Sequence, residues 1–190
     1  GSALPFTYGD LDELENLLKE NAGELACIIM EPMRSEEPPQ GYPQGVRDLA
    51  SRHGVVLIFD EVSSGFRIAL GSAQEYTGVT PDLSVFAKAI SNGYPMGAVV
   101  GKREYMEPAA RMFISSAYWD DNIGVAASLA TLRELERRDA VAHFNRIGAL
   151  FKERIDAAAA QAGLDAGCEG VAAHPGIRIR VDDPQDAAKV

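Results

Sequence analysis

Two apolar runs in this chain end by presenting groups that can do chemistry. Val55-Val56-Leu57-Ile58-Phe59 stops at Asp60-Glu61, and Leu83-Ser84-Val85-Phe86 leads through Ala87 to Lys88, 28 residues after Asp60. In open α/β sheets, ligands gather at the carboxyl ends of strands. An acid and an amine placed there are costly to desolvate unless each has a partner. A ligand held between them satisfies both groups. A direct Asp60–Lys88 ion pair does so equally, and spacing alone leaves the two readings level. His53, His143 and His174 have no ligand spacing and are expected at the surface or at helix ends, and Cys27 and Cys168 suggest neither a disulfide framework nor a zinc site, so no metal is expected.

Positioning these groups requires a sheet. Residues 10–22 read as an amphipathic helix, with Leu11, Leu14, Leu17 and Leu18 at helical spacing after Asp10 as N-cap. Leu25 to Met30 is a short apolar run, a Pro/Gly-rich stretch carries the chain from Pro32 to Pro43, and residues 44–53 look helical. Val55 to Phe59 is β-branched and aromatic without alternation, which predicts a strand buried on both faces of a parallel sheet. Further strands are expected at Leu83 to Phe86 and Ala98 to Val100, with Gly93, Pro95 and Gly97 punctuating the connection. Helical spacing returns from Asn122 to about Arg138 and again over residues 139–162. The tail alternates Ile177, Ile179 and Val181 against Arg178, Arg180 and Asp182, the pattern of a half-exposed strand. Strands alternating with helices, without an internal repeat, argue for an α/β architecture.

Composition bounds the partners. The 190 residues are 46% hydrophobic, enough for one ordinary domain or one plus part of another. With 28 acidic residues against 18 basic ones and a net charge of -10, nucleic acid and anionic membrane are disfavoured partners. No stretch approaches the roughly 18 unbroken apolar residues of a membrane span, and the first residues carry no charged leader. Two cysteines far apart fit a reducing compartment, so a cytoplasmic location is expected.

The wording around the two strand ends carries more than their geometry. Phe59-Asp60-Glu61-Val62-Ser63-Ser64-Gly65-Phe66-Arg67, then Gly78-Val79-Thr80-Pro81-Asp82-Leu83, then Phe86-Ala87-Lys88-Ala89-Ile90 form an ordered set that resembles the signature of class III aminotransferases. The resemblance runs from about Leu25 to Leu132, and Gly65-Phe66-Arg67 with Ser115-Ser116-Ala117-Tyr118-Trp119 looks closest to the glutamate-1-semialdehyde aminomutase-like branch. It implies an α/β fold of the PLP-dependent transferase fold type I. Residues 1–137 would form a partial large domain, a mostly parallel sheet flanked by helices, and 138–190 a linking helix and the start of a small α+β C-terminal domain.

The cofactor so implied is pyridoxal 5′-phosphate (PLP). Lys88 would form its Schiff base and later shuttle a proton between substrate Cα and C4′, for which the amine must be neutral, a state favoured by burial beside other cations. Asp60 would hold the pyridine nitrogen protonated and make the ring a better electron sink. Val62 would pack on one ring face, and Ser63 stands where the family places a side chain near the 3′ oxygen, with a plain turn residue as the alternative. Glu31, in Met30-Glu31-Pro32, resembles a family glutamate near the active site, with a strand-end cap as the alternative. Arg67 is expected in a salt bridge, with a substrate carboxylate as the alternative. The partners implied are small-molecule amino donors and acceptors and a second copy in a homodimer.

Two departures stand against that pattern. Ala117 occupies the position of a family threonine that reaches the neighbouring subunit's PLP phosphate, leaving Ser116 as the substitute. Loss of such a bond costs about 1–3 kcal/mol. Family members are also more than twice as long, and no GxGxxG or GxxxxGKS phosphate cradle occurs here to replace what precedes the Asp60 region in them. The alternative to an aminotransferase or aminomutase is therefore a catalytically silent fragment of one.

Overall fold

The computed structural model describes residues 3–33 and 37–180. Asp10 acts as predicted: its carboxylate accepts the Glu13 N–H at 2.9 Å, and helix α1 (Leu11–Glu20) turns Leu14 and Leu18 inward. Strand β1 (Cys27–Met30) follows, then helix α2 (Tyr42–His53), which has Pro43 in its first turn and ends on Gly54 in the left-handed region. Strand β2 (Val56–Asp60), the short helix α3 (Ser72–Thr77) and strand β3 (Leu83–Phe86) come next. Strands β1, β2 and β3 are parallel, and β4 (Ala98–Gly101) closes the four-stranded sheet antiparallel to β3. The sheet is thus mostly parallel, as expected.

Alternate positions of the strands point into one core. Ile28 and Met30 of β1, with Leu57 and Phe59 of β2, are buried in the cluster that also takes Leu18 from α1 and Val46 from α2. Each such side chain contributes about 1.5–3 kcal/mol of burial. The other face differs from expectation. Val56 and Ile58 are only half-buried and Ile29 is 57% exposed, so β2 is not covered on both sides. The unbroken apolar run makes both faces fit for burial, but the described residues supply a covering layer for one.

At the amino end of β3, Asp82 ties four elements together. Its Oδ2 accepts the Leu57 N–H at 2.8 Å and Arg47 of α2 at 2.9 Å, and its Oδ1 accepts Lys102, just past β4, at 2.6 Å. Burial alone would raise this carboxyl, but the Leu57 N–H and the Lys102 and Arg47 cations outweigh it and hold it below the usual aspartate range.

Beyond β4 come helix α4 (Arg103–Met106), then α5 (Asn122–Arg137) and α6 (Ala140–Ala162), separated by Asp139 at φ +48°. The predicted tail strand is β6 (Gly176–Ile179), while Val181 lies outside the described residues. Its antiparallel partner β5 (Ala166–Glu169) was not foreseen, because Ala-Gly-Cys-Glu has no strand periodicity. Tertiary contacts make it: Asp156 of α6 accepts the Cys168 N–H at 2.7 Å, and Arg178 pairs with Glu169 at 2.9 Å. The connecting turn places Val171 in the main core. Gly148 lets α6 approach that turn, since a Cβ there would collide with the Ala172 carbonyl. No described helix is long and apolar enough to cross a membrane.

Candidate active site

The parallel register brings the chemistry-bearing residues to one edge of the sheet. Met30 pairs with Phe59, so the next positions along β1 and β2 are Glu31 and Asp60; Asp60 in turn pairs with Val85, three residues before Lys88. After Asp60 the chain makes a tight turn. The Glu61 N–H completes the ladder by donating to the Val85 carbonyl at 2.9 Å, and the Gly65 N–H returns to the Glu61 carbonyl at 2.8 Å. Gly65 is required there, because a Cβ would stand 2.7 Å from both that carbonyl and the Phe86 ring. The ring of Phe66 then packs on Phe86 with centroids 5.0 Å apart.

Strain gathers at this edge. Lys88, Phe66, Ser72 and Asn92 all adopt positive φ, between 50° and 63°, without being glycine. Lys88 opens a single 3-10 turn, Lys88–Ile90, and its amine donates to Ser63 Oγ at 2.9 Å; against the expectation of a buried amine beside other cations, the described residues leave Lys88 exposed. Asp60 Oδ1 accepts the Val62 N–H at 3.0 Å. Among the described residues Asp60 and Lys88 form no ion pair, and nothing donates to Asp60 Oδ2. The direct-pair reading is therefore not the arrangement adopted: the acid and the amine lie at the same ends of neighbouring strands, each bonded to the turn that follows Asp60.

Arg67 corrects another expectation. Its guanidinium donates to the Ser63 carbonyl at 2.8 Å and, among the described residues, makes no salt bridge. It braces the turn and lines a cavity of about 550 Å³ with His143, Phe144, Phe151 and Pro175. Val62 and Ser63 lie on the same turn, half-buried, and Glu31 is half-buried beside Pro32. Ser116 is not brought to this edge. Its hydroxyl accepts the Tyr118 N–H at 3.3 Å, and it lines a separate cavity of about 510 Å³ with Met96, Trp119 and Gly124.

The residue that sequence reasoning left without a role is Glu61. Its side chain is fully buried, with Oε2 accepting the Ala73 N–H of α3 at 2.6 Å and the Ser64 hydroxyl at 3.5 Å, while Oε1 has no hydrogen-bond partner among the described residues. Burial pushes its carboxyl up to about 7, against the lowering effect of the Ala73 N–H and the Ser64 hydroxyl. A charged residue straight after a buried strand was the available signal. Among the described residues no three His, Cys, Asp or Glu side chains are placed to hold a metal.

Comparison with known proteins shows the family. The family described as aminotransferase class-III matches residues 9–166. The 3-aminobutyryl-CoA aminotransferase of Cloacimonas acidaminovorans (strain Evry) is 37% identical over 185 residues, covering 94% of this chain and 45% of that protein. The glutamate-1-semialdehyde 2,1-aminomutase of Citrifermentans bemidjiense is 39% identical over 168 residues, covering 85% of this chain and 39% of that one. Among solved structures, the PLP internal aldimine form of the Sphingopyxis sp. MTA144 FumI protein superposes with a TM-score of 0.86 at 28% identity, over 95% of this chain and 45% of its own. The chain spans less than half the length of these relatives.

Proposed function

Since the chain belongs to the class III aminotransferases, we propose that it carries the catalytic lysine and its acidic partner for a PLP-dependent aminotransferase or aminomutase moving an amino group on a small amino or keto compound. The observation that carries this reading is the edge itself: Lys88 Nζ on Ser63, and Asp60 at the neighbouring strand end with Oδ2 open to a donor. These residues fit the cofactor. Lys88 would anchor its aldehyde, Asp60 would accept from the protonated ring nitrogen, Val62 would pack on a ring face and Ser63 would bond the 3′ oxygen. Bound there, PLP supplies an electron sink for the charge left when a substrate Cα proton leaves. Lys88 Nζ would take that proton, and Ser63 Oγ, 2.9 Å away, orients it. Glu31 and Arg67 are the candidates to meet the substrate.

The finer parts of the reading rest on the surface and the chain order. A homodimer is supported by apolar side chains left open beside Ser116, with Phe113 98% and Trp119 62% exposed. In it Ser116 would reach the neighbour's phosphate. Residues 1–137 form the partial cofactor-binding unit, and 138–190 the link and the start of the small domain. Free Cys27 and Cys168 support a cytoplasmic location.

A catalytically silent piece of such an enzyme is the second reading, favoured by the half-open sheet and the share of the relatives' length that is covered. Titration of the purified chain with PLP, then borohydride reduction and mass spectrometry, separates the two. The proposal expects a pyridoxyl adduct on the Lys88 peptide that disappears in Lys88→Ala. A folded chain without the adduct establishes the silent fragment.

A further inference from the structure

Resting on the cofactor reading above, we propose that Glu61 is a positioning residue whose buried carboxyl clamps the turn bearing Asp60, Val62 and Ser63 onto helix α3. The clamp is built from both parts of the residue. The main chain of Glu61 joins β2 to β3 through Val85 and closes the turn through Gly65. Its side chain crosses to the first turn of α3, where Oε2 takes the Ala73 N–H at 2.6 Å. Ser72 reinforces the crossing, as its Oγ accepts the Phe66 N–H at 3.1 Å. Asp60, whose direction fixes where a ring nitrogen can sit, immediately precedes this clamp, and Ser63, which holds Lys88 Nζ, lies two residues beyond it.

A neutral carboxyl suits this place. Oε1 is buried without a partner, which is costly for a charged oxygen and far less so for a hydroxyl. The charged groups on the elements around it are all engaged elsewhere. On its own turn, Asp60 takes the Val62 N–H and Arg67 the Ser63 carbonyl; on α3, Glu75 takes the Gly71 N–H; past β3, Lys88 donates to Ser63. Among the described residues no cation is thus supplied to hold Glu61 ionised, in agreement with a carboxyl raised to about 7 by burial.

The sign of the linkage follows. A group at about 7 in the fold and 4.5 when unfolded contributes stability that is full below 4.5 and is lost as pH rises toward 7. Glu61→Gln keeps an acceptor for Ala73 and a neutral head, so it should hold its stability across that window. Three measurements on the full chain test the clamp: denaturant midpoints of wild type and Glu61→Gln from pH 4.5 to 8, hydrogen exchange at the Ala73 amide, and PLP titration of wild type, Glu61→Gln and Glu61→Ala. The expected results are a Gln advantage that grows with pH, a protected Ala73 amide in wild type and Gln, and PLP affinity within about twofold in Gln but about ten- to a hundredfold weaker in folded Ala. Glu61→Ala binding as tightly as wild type, or a Gln advantage that does not change with pH, overturns the proposal. If Glu61→Ala does not fold, the Gln series decides. If wild type takes up no PLP, the cofactor reading fails separately, and the exchange and pH series still decide the clamp.

Discussion

Two carboxyl groups are buried at opposite ends of strands β2 and β3, and their surroundings differ in kind. Asp82, at the amino end, has a backbone N–H and two cations on its oxygens and is held below the ordinary aspartate range. Glu61, at the carboxyl end, has one strong N–H bond, a long contact to Ser64 and an oxygen with no partner, and is raised to about 7. One end is satisfied and joins α2, β2, β3 and β4. The other is under-satisfied and sits among residues in strained backbone, Phe66, Ser72 and Lys88. The same sheet is therefore anchored at one end of its strands and left under-satisfied, in strained backbone, at the other.

The sharpest way to break that comparison is to remove the anchor. Asp82→Ala leaves the Arg47 guanidinium and the Leu57 N–H without their shared acceptor and should cost about 3 kcal/mol in urea unfolding. Lys102 contributes little to this loss, because its side chain is 48% exposed and solvent replaces its partner. A loss below about 1 kcal/mol would mean that the amino end is no better anchored than the surface.

A smaller effect is expected at the poised end. Gly65→Ala forces a methyl against the Glu61 carbonyl and the Phe86 ring, both 2.7 Å from its ideal position. Overpacking of this kind costs about 1–3 kcal/mol, and here the strain falls on the turn that carries Asp60 and Ser63. The variant should lose pyridoxyl labelling of Lys88 out of proportion to its loss of stability. Equal losses in both would make the turn a structural feature only.

Much of this division was legible in the sequence, and the unread parts share a cause. The apolar runs gave β1 to β4, helical spacing gave α1, α5 and α6, and residues 44–53 were read as helical where α2 forms, because these elements answer to local patterning. The placement of Asp60 and Lys88 at neighbouring strand ends was readable because each follows such a run. Glu61 was visible as a charged residue after a buried strand and Asp82 as part of a motif, but their roles were not: these depend on Arg47 and Lys102 in one case and Ala73 in the other, partners fixed by tertiary packing. Helix α3 and strand β5 escaped for a related reason, being short and held by contacts from outside themselves. The open face of β2 was misread because an apolar run states what a face tolerates, not what covers it.

The smallest effect expected is a change of slope with pH, and it tests the comparison at both ends together. Asp82, lowered in the fold from 3.8, contributes stability that is present above that value and lost as pH falls through its folded pKa. Glu61, raised from 4.5 to about 7, behaves oppositely and loses its contribution as pH rises between those values. Wild-type denaturant midpoints should therefore fall on the acid side through Asp82 and on the neutral side through Glu61. Asp82→Asn should flatten the acid limb alone, while Glu61→Gln flattens the neutral limb alone. If one substitution flattens both limbs, the two ends are coupled through β2 and β3, and the anchored and poised edges form a single electrostatic unit.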